Sequence, residues 1–201
     1  MENGSLRIGR TAFGSPADRG RLPSRAEALT LLGEWVANPR LQLHMRQVAA
    51  LLEAWARERL NAPDQADLWY LAGLLHDTDW DKWPETHPQK TIAWLEERHY
   101  DPELIHAVAA HGPRHFGVPE LNDLDRMIFA FDELSGFVHA VSLVRPGGYE
   151  GMEPSSVKKK LKEKSFAAQV DRQDITDGLE AAALTFEDLC AFVIRVQKQV
   201  G

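Results

Sequence analysis

One cysteine, Cys190, stands alone among 201 residues. It cannot form an internal disulfide, and it cannot build a cysteine zinc site, so neither device is available to this chain. Long apolar runs are also missing: none approaches the ~18 residues that a membrane span requires. The polar N-terminus does not read as a signal peptide. Positive charge is in deficit, with 23 Lys and Arg against 30 Asp and Glu and a net charge of −7. A nucleic-acid binder needs a basic face to neutralise phosphates, so no stable nucleic-acid complex is expected. Strict alternation of apolar and polar residues between turn signals is absent, which removes strands from the expected elements. The chain is nevertheless 44% hydrophobic, enough for a sizeable core and too apolar for wholesale disorder. It reads as a cytoplasmic globular protein with no membrane contact.

Residues 1–23 differ from the rest. They hold Arg7, Arg10, Arg19 and Arg21 among glycines and prolines without an apolar period, and read as a flexible basic leader. Residues 24–201 read as a single helical domain. Ser24-Arg-Ala-Glu27 is a capping box at a helix start, and Asn38-Pro39 ends that helix and opens the next. Further helices are expected from Asp64 to His76, near His87–His99, from Asp101-Pro102 to Gly112-Pro113, and from Pro119 to about Val144, where Arg145-Pro-Gly-Gly148 breaks the chain. Ser155–Phe166, Asp171–Ala182 and Thr185–Gln199 complete an all-α bundle of about eight or nine helices.

The informative residues break the amphipathic rule. His44 shares a face with Val48, Leu51 and Trp55. Leu71, Leu74 and Leu75 run directly into His76-Asp77, and Gly73, one turn back, reads as leaving room for whatever that pair binds. His111 follows Leu104 and Val108 on a buried face, and Asp132 lies between Phe131 and Leu134. A buried carboxylate without compensation costs several kcal/mol, on the order of buried-ion penalties, so something positive must face Asp132. A lone histidine on an apolar face is usually a hydrogen-bonded core residue, and a His-Asp dipeptide is common by chance. Convergence is less common: imidazoles and carboxylates point inward from several helices, with no lysine or arginine on those faces. One metal site would satisfy all of them together.

The order His44, then His76-Asp77 thirty-two residues on, then Asp132 fifty-five beyond, resembles the HD-domain superfamily of metal-dependent phosphohydrolases. The string LAGLLHDTDWDKWPETHPQKTIAWLEE with IHAVAAHG after it, and the later VKKKLKEKSFAAQVDRQDI, resemble a branch of small bacterial predicted hydrolases. The resemblance implies a helical core presenting His44, His76, Asp77 and Asp132 to a metal. His87-Pro88 and His111 resemble the two further histidines of the two-metal members, which implies six ligands with Asp77 bridging two divalent ions. Manganese or iron suits such mixed donors, and cobalt, nickel, zinc or magnesium could also bind. Many two-metal members carry a lysine three residues after the signature aspartate. Here that position is Trp80, with Lys82 nearby. The glycine-tyrosine-proline signature of cyclic-dinucleotide members is absent.

The resemblance implies hydrolysis of a phosphate ester of a nucleotide or other small phosphorylated metabolite by a metal-activated hydroxide. Asp77 would be at its centre, with Lys90 and Arg114 as phosphate clamps. Two other readings share the same ligands: an HD-type di-iron oxygenase and a non-catalytic module that senses a nucleotide. His139 reads as a neighbour of the ligands, His106 as structural, and His99 and His115 as solvated.

Overall fold

A computed structural model of the chain describes residues 20–200. The expected leader therefore lies outside the described residues as far as residue 19. Its last residues are tied down: the Arg21 carbonyl accepts from Asp101 N at 3.0 Å, and the Arg21 guanidinium lies over the Tyr100 ring.

The described residues form ten α-helices and no sheet. These are α1 Arg25–Trp35, α2 Pro39–Glu58, α3 Ala66–Leu75, α4 Gln89–Glu97, α5 Pro102–Ala110, α6 Pro113–Phe116, α7 Asp123–Leu143, α8 Pro154–Leu161, α9 Arg172–Ala181 and α10 Phe186–Val200. No helix among them is long and apolar enough to cross a membrane. Side-chain caps set several starts. The Ser24–Glu27 capping box is formed at α1, Asn38 caps α2, and Asp101 caps α5. Two expectations shift. The long helix α7 begins after Asn122, not at Pro119, because Asn122 and Asp125 form a reciprocal capping box there. Pro113, expected only to close a helix, also opens the single turn α6, which Gly117 ends in the left-handed conformation at φ 70°.

The core forms where α2, α3, α5, α7 and α10 meet. Trp55 from α2, Phe131 from α7 and Phe192 from α10 make one aromatic cluster, with ring centroids 5.0–5.8 Å apart. Each such ring removes a large apolar area from water, so the cluster contributes heavily to holding the three helices together. The closest approach is between α2 and α3. A Cβ on Gly73 would lie 2.7 Å from the Cα and N of Ala49 and 2.8 Å from the Val48 carbonyl carbon. The role that the sequence suggests for Gly73 is thereby corrected: it lets two backbones touch, and its missing side chain faces α2. That contact brings the α2 residue His44 against the end of α3.

Candidate metal centre

Six side chains from five segments converge beside this contact. His44 comes from α2 and Asp132 from α7. His76 and Asp77 follow α3, His111 caps α5, and His87 sits just before α4. Their donor atoms form two groups that share one residue: His44, His76 and Asp77 in one, and Asp77, His87 and His111 in the other, each within 4.8 Å. Asp132 belongs beside the first, its Oδ1 lying 2.9 Å from His44 Nε2 and 3.5 Å from His76 Nε2. Asp77 divides its oxygens between them. Oδ2 lies 3.5 Å from His76 Nε2, while Oδ1 lies 3.3 Å from His87 Nε2 and 3.6 Å from His111 Nε2.

The imidazoles are held by one recurring device. A helix leaves its last carbonyls without intrahelical donors. His76 Nδ1 donates to the Gly73 carbonyl at 2.8 Å, and His111 Nδ1 to the Val108 carbonyl at 2.6 Å, each three residues back at the end of a helix. His87 Nδ1 donates instead to Asp79 Oδ1 at 2.7 Å. With the Nδ1 protons committed, each neutral ring turns a bare Nε2 lone pair inward. His87 Nε2 and His111 Nε2 then face each other at 3.1 Å, and buried His76 Nε2 makes no hydrogen bond although two carboxylates are nearby. Lone pairs aimed at lone pairs and at carboxylates repel unless a cation lies among them. The donor set therefore fits divalent metal, and a proton is the alternative occupant.

The titration behaviour follows from that crowding. Burial opposes a charge on His76, but Asp77 and Asp132 outweigh it and hold its pKa up at about 9. Burial would raise Asp77 and Asp132, yet His76, with His111 and His87 for the one and His44 for the other, holds both well below the usual carboxylate range. Burial lowers His111 in spite of its contact with Asp77. Glu133, next in sequence to Asp132, is pushed up to about 8 by burial and by the Asp132 charge.

A cavity of about 550 Å³ opens from the two groups, a volume in the range of small-metabolite sites. Trp80, Phe116 and Phe129 make its apolar wall, and Glu133, Gln169 and Asp174 line it further out. Trp80 and Phe116 both pack edgewise on the His87 ring, with centroids 5.1 and 5.2 Å away.

The profile of the HD domain family matches residues 42–136, a span that contains all six converging residues. Residues 42–136 are an HD domain. No curated protein and no solved structure matches the chain. HD-domain proteins are generally metal-dependent phosphohydrolases, and the paired groups described above are where this chain could hold metal.

Other residues singled out from the HD-domain sequence lie elsewhere. Arg114 does not line the cavity: its Nε donates to Asp174 Oδ1 at 2.7 Å and its Nη2 to Asp171 Oδ2 at 2.8 Å, and it faces a neighbouring hollow. Lys90 is exposed and outside the lining, and Lys82 Nζ donates to the Glu34 carbonyl. His139 bonds to Tyr149 and Gln47, His106 pairs with buried Asp125, and exposed His115 pairs with Asp174 at 2.8 Å.

Asp79 belongs to the candidate site although nothing in its sequence setting reveals it. It is fully buried and accepts from His87 Nδ1, Lys90 N at 2.9 Å and Thr91 N at 3.2 Å. The last two bonds make it the cap of α4, whose own N-cap residue, Pro88, supplies no side-chain cap. One carboxylate thus starts the helix and orients the histidine. Replacing Asp79 with Asn puts an amide N–H against one of these donors and removes the carboxylate charge beside the imidazole. Asp79→Asn is expected to weaken metal binding at the His87–His111 group about 10–100-fold and to leave the His44–His76 group largely intact. A stepwise manganese titration with elemental analysis reads this, and two unchanged binding steps would remove the role from Asp79.

A second expectation concerns pH. The raised His76 value stabilises the folded, metal-free protein fully below its ordinary 6.5, and that stability is lost as pH rises to about 9. Glu133 acts in the same direction, since its preference for the neutral form penalises folding as pH climbs from 4.5 to about 8. Lowered His111 opposes acidification below 6.5. Protein treated with EDTA should therefore melt highest between about pH 4.5 and 6.5 and lose several degrees by pH 9. Manganese should stabilise it increasingly over that range, because ligand protons no longer compete. A flat profile with EDTA would contradict the His76 assignment.

Proposed function

We propose that this protein is a binuclear metal-dependent phosphohydrolase of a small phosphorylated metabolite. His44, His76 and Asp132 would hold one divalent ion, His87 and His111 would hold the other, and Asp77 would serve both. The observation that carries the reading is the division of Asp77, one oxygen toward each histidine group. Bound divalent ions supply Lewis-acid charge for phosphoryl oxygens and a nucleophile from water near neutral pH. Mixed imidazole and carboxylate donors favour manganese or iron.

The chain's own residues do the rest. The Nδ1 bonds of His76, His87 and His111 fix which nitrogen faces inward, so little reorganisation is needed when charge develops. Trp80, Phe116 and Phe129 shield one side of the cavity from water, which strengthens the electrostatics within it. Neither Lys90 nor Arg114 lines that space, so neither is the phosphate clamp.

The test is metal content and turnover on one preparation purified without chelator. Two equivalents of manganese or iron per chain, with inorganic phosphate released from simple phosphate esters and no oxygen consumed, would support the reading. Oxygen consumption dependent on iron, without phosphate release, would overturn it in favour of an oxygenase.

A further inference from the structure

The cavity beyond the two histidine groups restricts what can fill it, given the phosphohydrolase reading above. Among the described residues, five carboxylates line it (Asp77, Asp132, Glu133, Asp171 and Asp174), and no lysine or arginine does. The first two belong to the metal centre. Asp174 is already engaged on both oxygens, by Arg114 Nε and by His115 Nε2. Asp171 caps α9 with Oδ1, accepting from Gln173 N at 2.7 Å, and takes Arg114 Nη2 on Oδ2.

Glu133 differs from the other four. It is partly buried, and its one hydrogen bond among the described residues is from Asp171 N to Oε2 at 3.2 Å. Among the described residues no lysine, arginine or histidine pairs with it, and it lines the cavity. A half-buried acceptor without a donor is completed by a ligand that brings one. Beyond the metal centre the lining offers a second anionic group three carboxyl groups against the one Arg114 guanidinium that pairs with two of them, so it disfavours that group.

We infer that the substrate carries a single phosphate and that its organic part presents a hydrogen-bond donor, an ammonium or a hydroxyl, to Glu133. Glu133 is then the residue that selects among phosphate esters, while the metal centre takes the phosphate that all of them share. Nucleoside diphosphates and triphosphates are poor fits, and compact amino or polyol monophosphates are good ones.

Four probes of similar size test this on the manganese-loaded full chain: ethanolamine phosphate, glycerol phosphate, propyl phosphate and propanediol bisphosphate. Calorimetry measures binding, and phosphate release is followed separately. At least one donor-bearing probe should bind about tenfold or more tighter than propyl phosphate, and the bisphosphate should bind most weakly. Whichever donor wins identifies the group. Glu133→Ala removes the acceptor and should erase either preference, whereas Glu133→Gln keeps one acceptor oxygen and should leave part of a preference for hydroxyl. Both variants should retain the wild-type metal content, which checks that they are folded. Equal binding of propyl phosphate and both donor probes, tightest binding of the bisphosphate, or a ranking unmoved in both variants would overturn the inference. Phosphate release with no ranking would sink the selectivity alone and leave the hydrolase reading standing. Ranked binding without phosphate release would sink the hydrolase reading and leave the recognition by Glu133. No binding by any probe would overturn both.

Discussion

Asp77→Ala is expected to bring metal content from two equivalents to less than one and to lower phosphate release by at least about 1,000-fold. The size of the effect comes from what each half of the centre has left. Without Asp77, the His87–His111 group holds two neutral imidazoles and no anionic donor, so nothing there balances a divalent charge. The other group keeps His44, His76 and Asp132, a weaker set that has lost the oxygen 3.5 Å from His76 Nε2. The metal-free variant also changes, because His76 loses one of the two carboxylates that hold its proton. Elemental analysis of wild type and variant, purified side by side, checks the first expectation, and a phosphate-release assay the second. A structural hydrogen-bond network would give a different pattern. Wild type would then hold no stoichiometric metal, and the substitution would alter the melting temperature alone.

The candidate metal centre uses ordinary ends of helices. His76 and His111 sit at positions where a carbonyl three residues back lacks a donor, so satisfying the backbone and choosing the tautomer are the same act. Asp79 repeats that economy at the other end of a helix by capping α4 while it holds His87. Groups that also complete backbone hydrogen bonding cannot swing away without exposing those bonds, which keeps the Nε2 atoms in place before any ligand arrives.

These features differ in how far they could be read from the chain. His44, His76, His111 and Asp132 stand out because helical periodicity is local: each breaks an apolar stripe within a turn or two of its neighbours, and a polar group there demands a partner. The capping box at Ser24 is legible for the same reason. Asp79 and Glu133 are not. The helix that Asp79 caps begins ten residues later, and the bond that Glu133 accepts comes from Asp171, thirty-eight residues away. Arg114 shows the converse. A basic residue after a buried histidine suggests a phosphate clamp, but α9 brings Asp171 and Asp174 to it, and the guanidinium turns to them. Composition carries no trace of such long-range pairings.

Gly73 joins the fold to the site, and Gly73→Ala should show it with the largest stability loss expected of a single methyl group here. In an isolated helix, Ala in place of Gly stabilises by roughly 0.5–1 kcal/mol. At Gly73 the new Cβ would stand 2.7 Å from the backbone of Ala49, and a backbone cannot rotate aside as a long side chain can. Helices α2 and α3 must separate, opening the core along Leu51, Leu52, Leu71 and Leu74, all of which are buried. Overpacking of this kind costs about 3 kcal/mol, which for a chain of this length lowers the melting temperature by about 6–12 °C. Gly33 supplies the contrast. It lies within α1, and a Cβ added there would meet nothing within 4 Å, so Gly33→Ala should raise the melting temperature slightly. The same separation moves His44 on α2 away from His76 at the end of α3, so Gly73→Ala should also weaken metal binding at that group while the His87–His111 group, carried by α4 and α5, keeps its affinity. Thermal melts of the two variants with EDTA, followed by stepwise manganese titration, measure both effects. Equal melting temperatures would show that α2 and α3 do not meet at Gly73, and a stability loss with both metal-binding steps unchanged would uncouple that contact from the site.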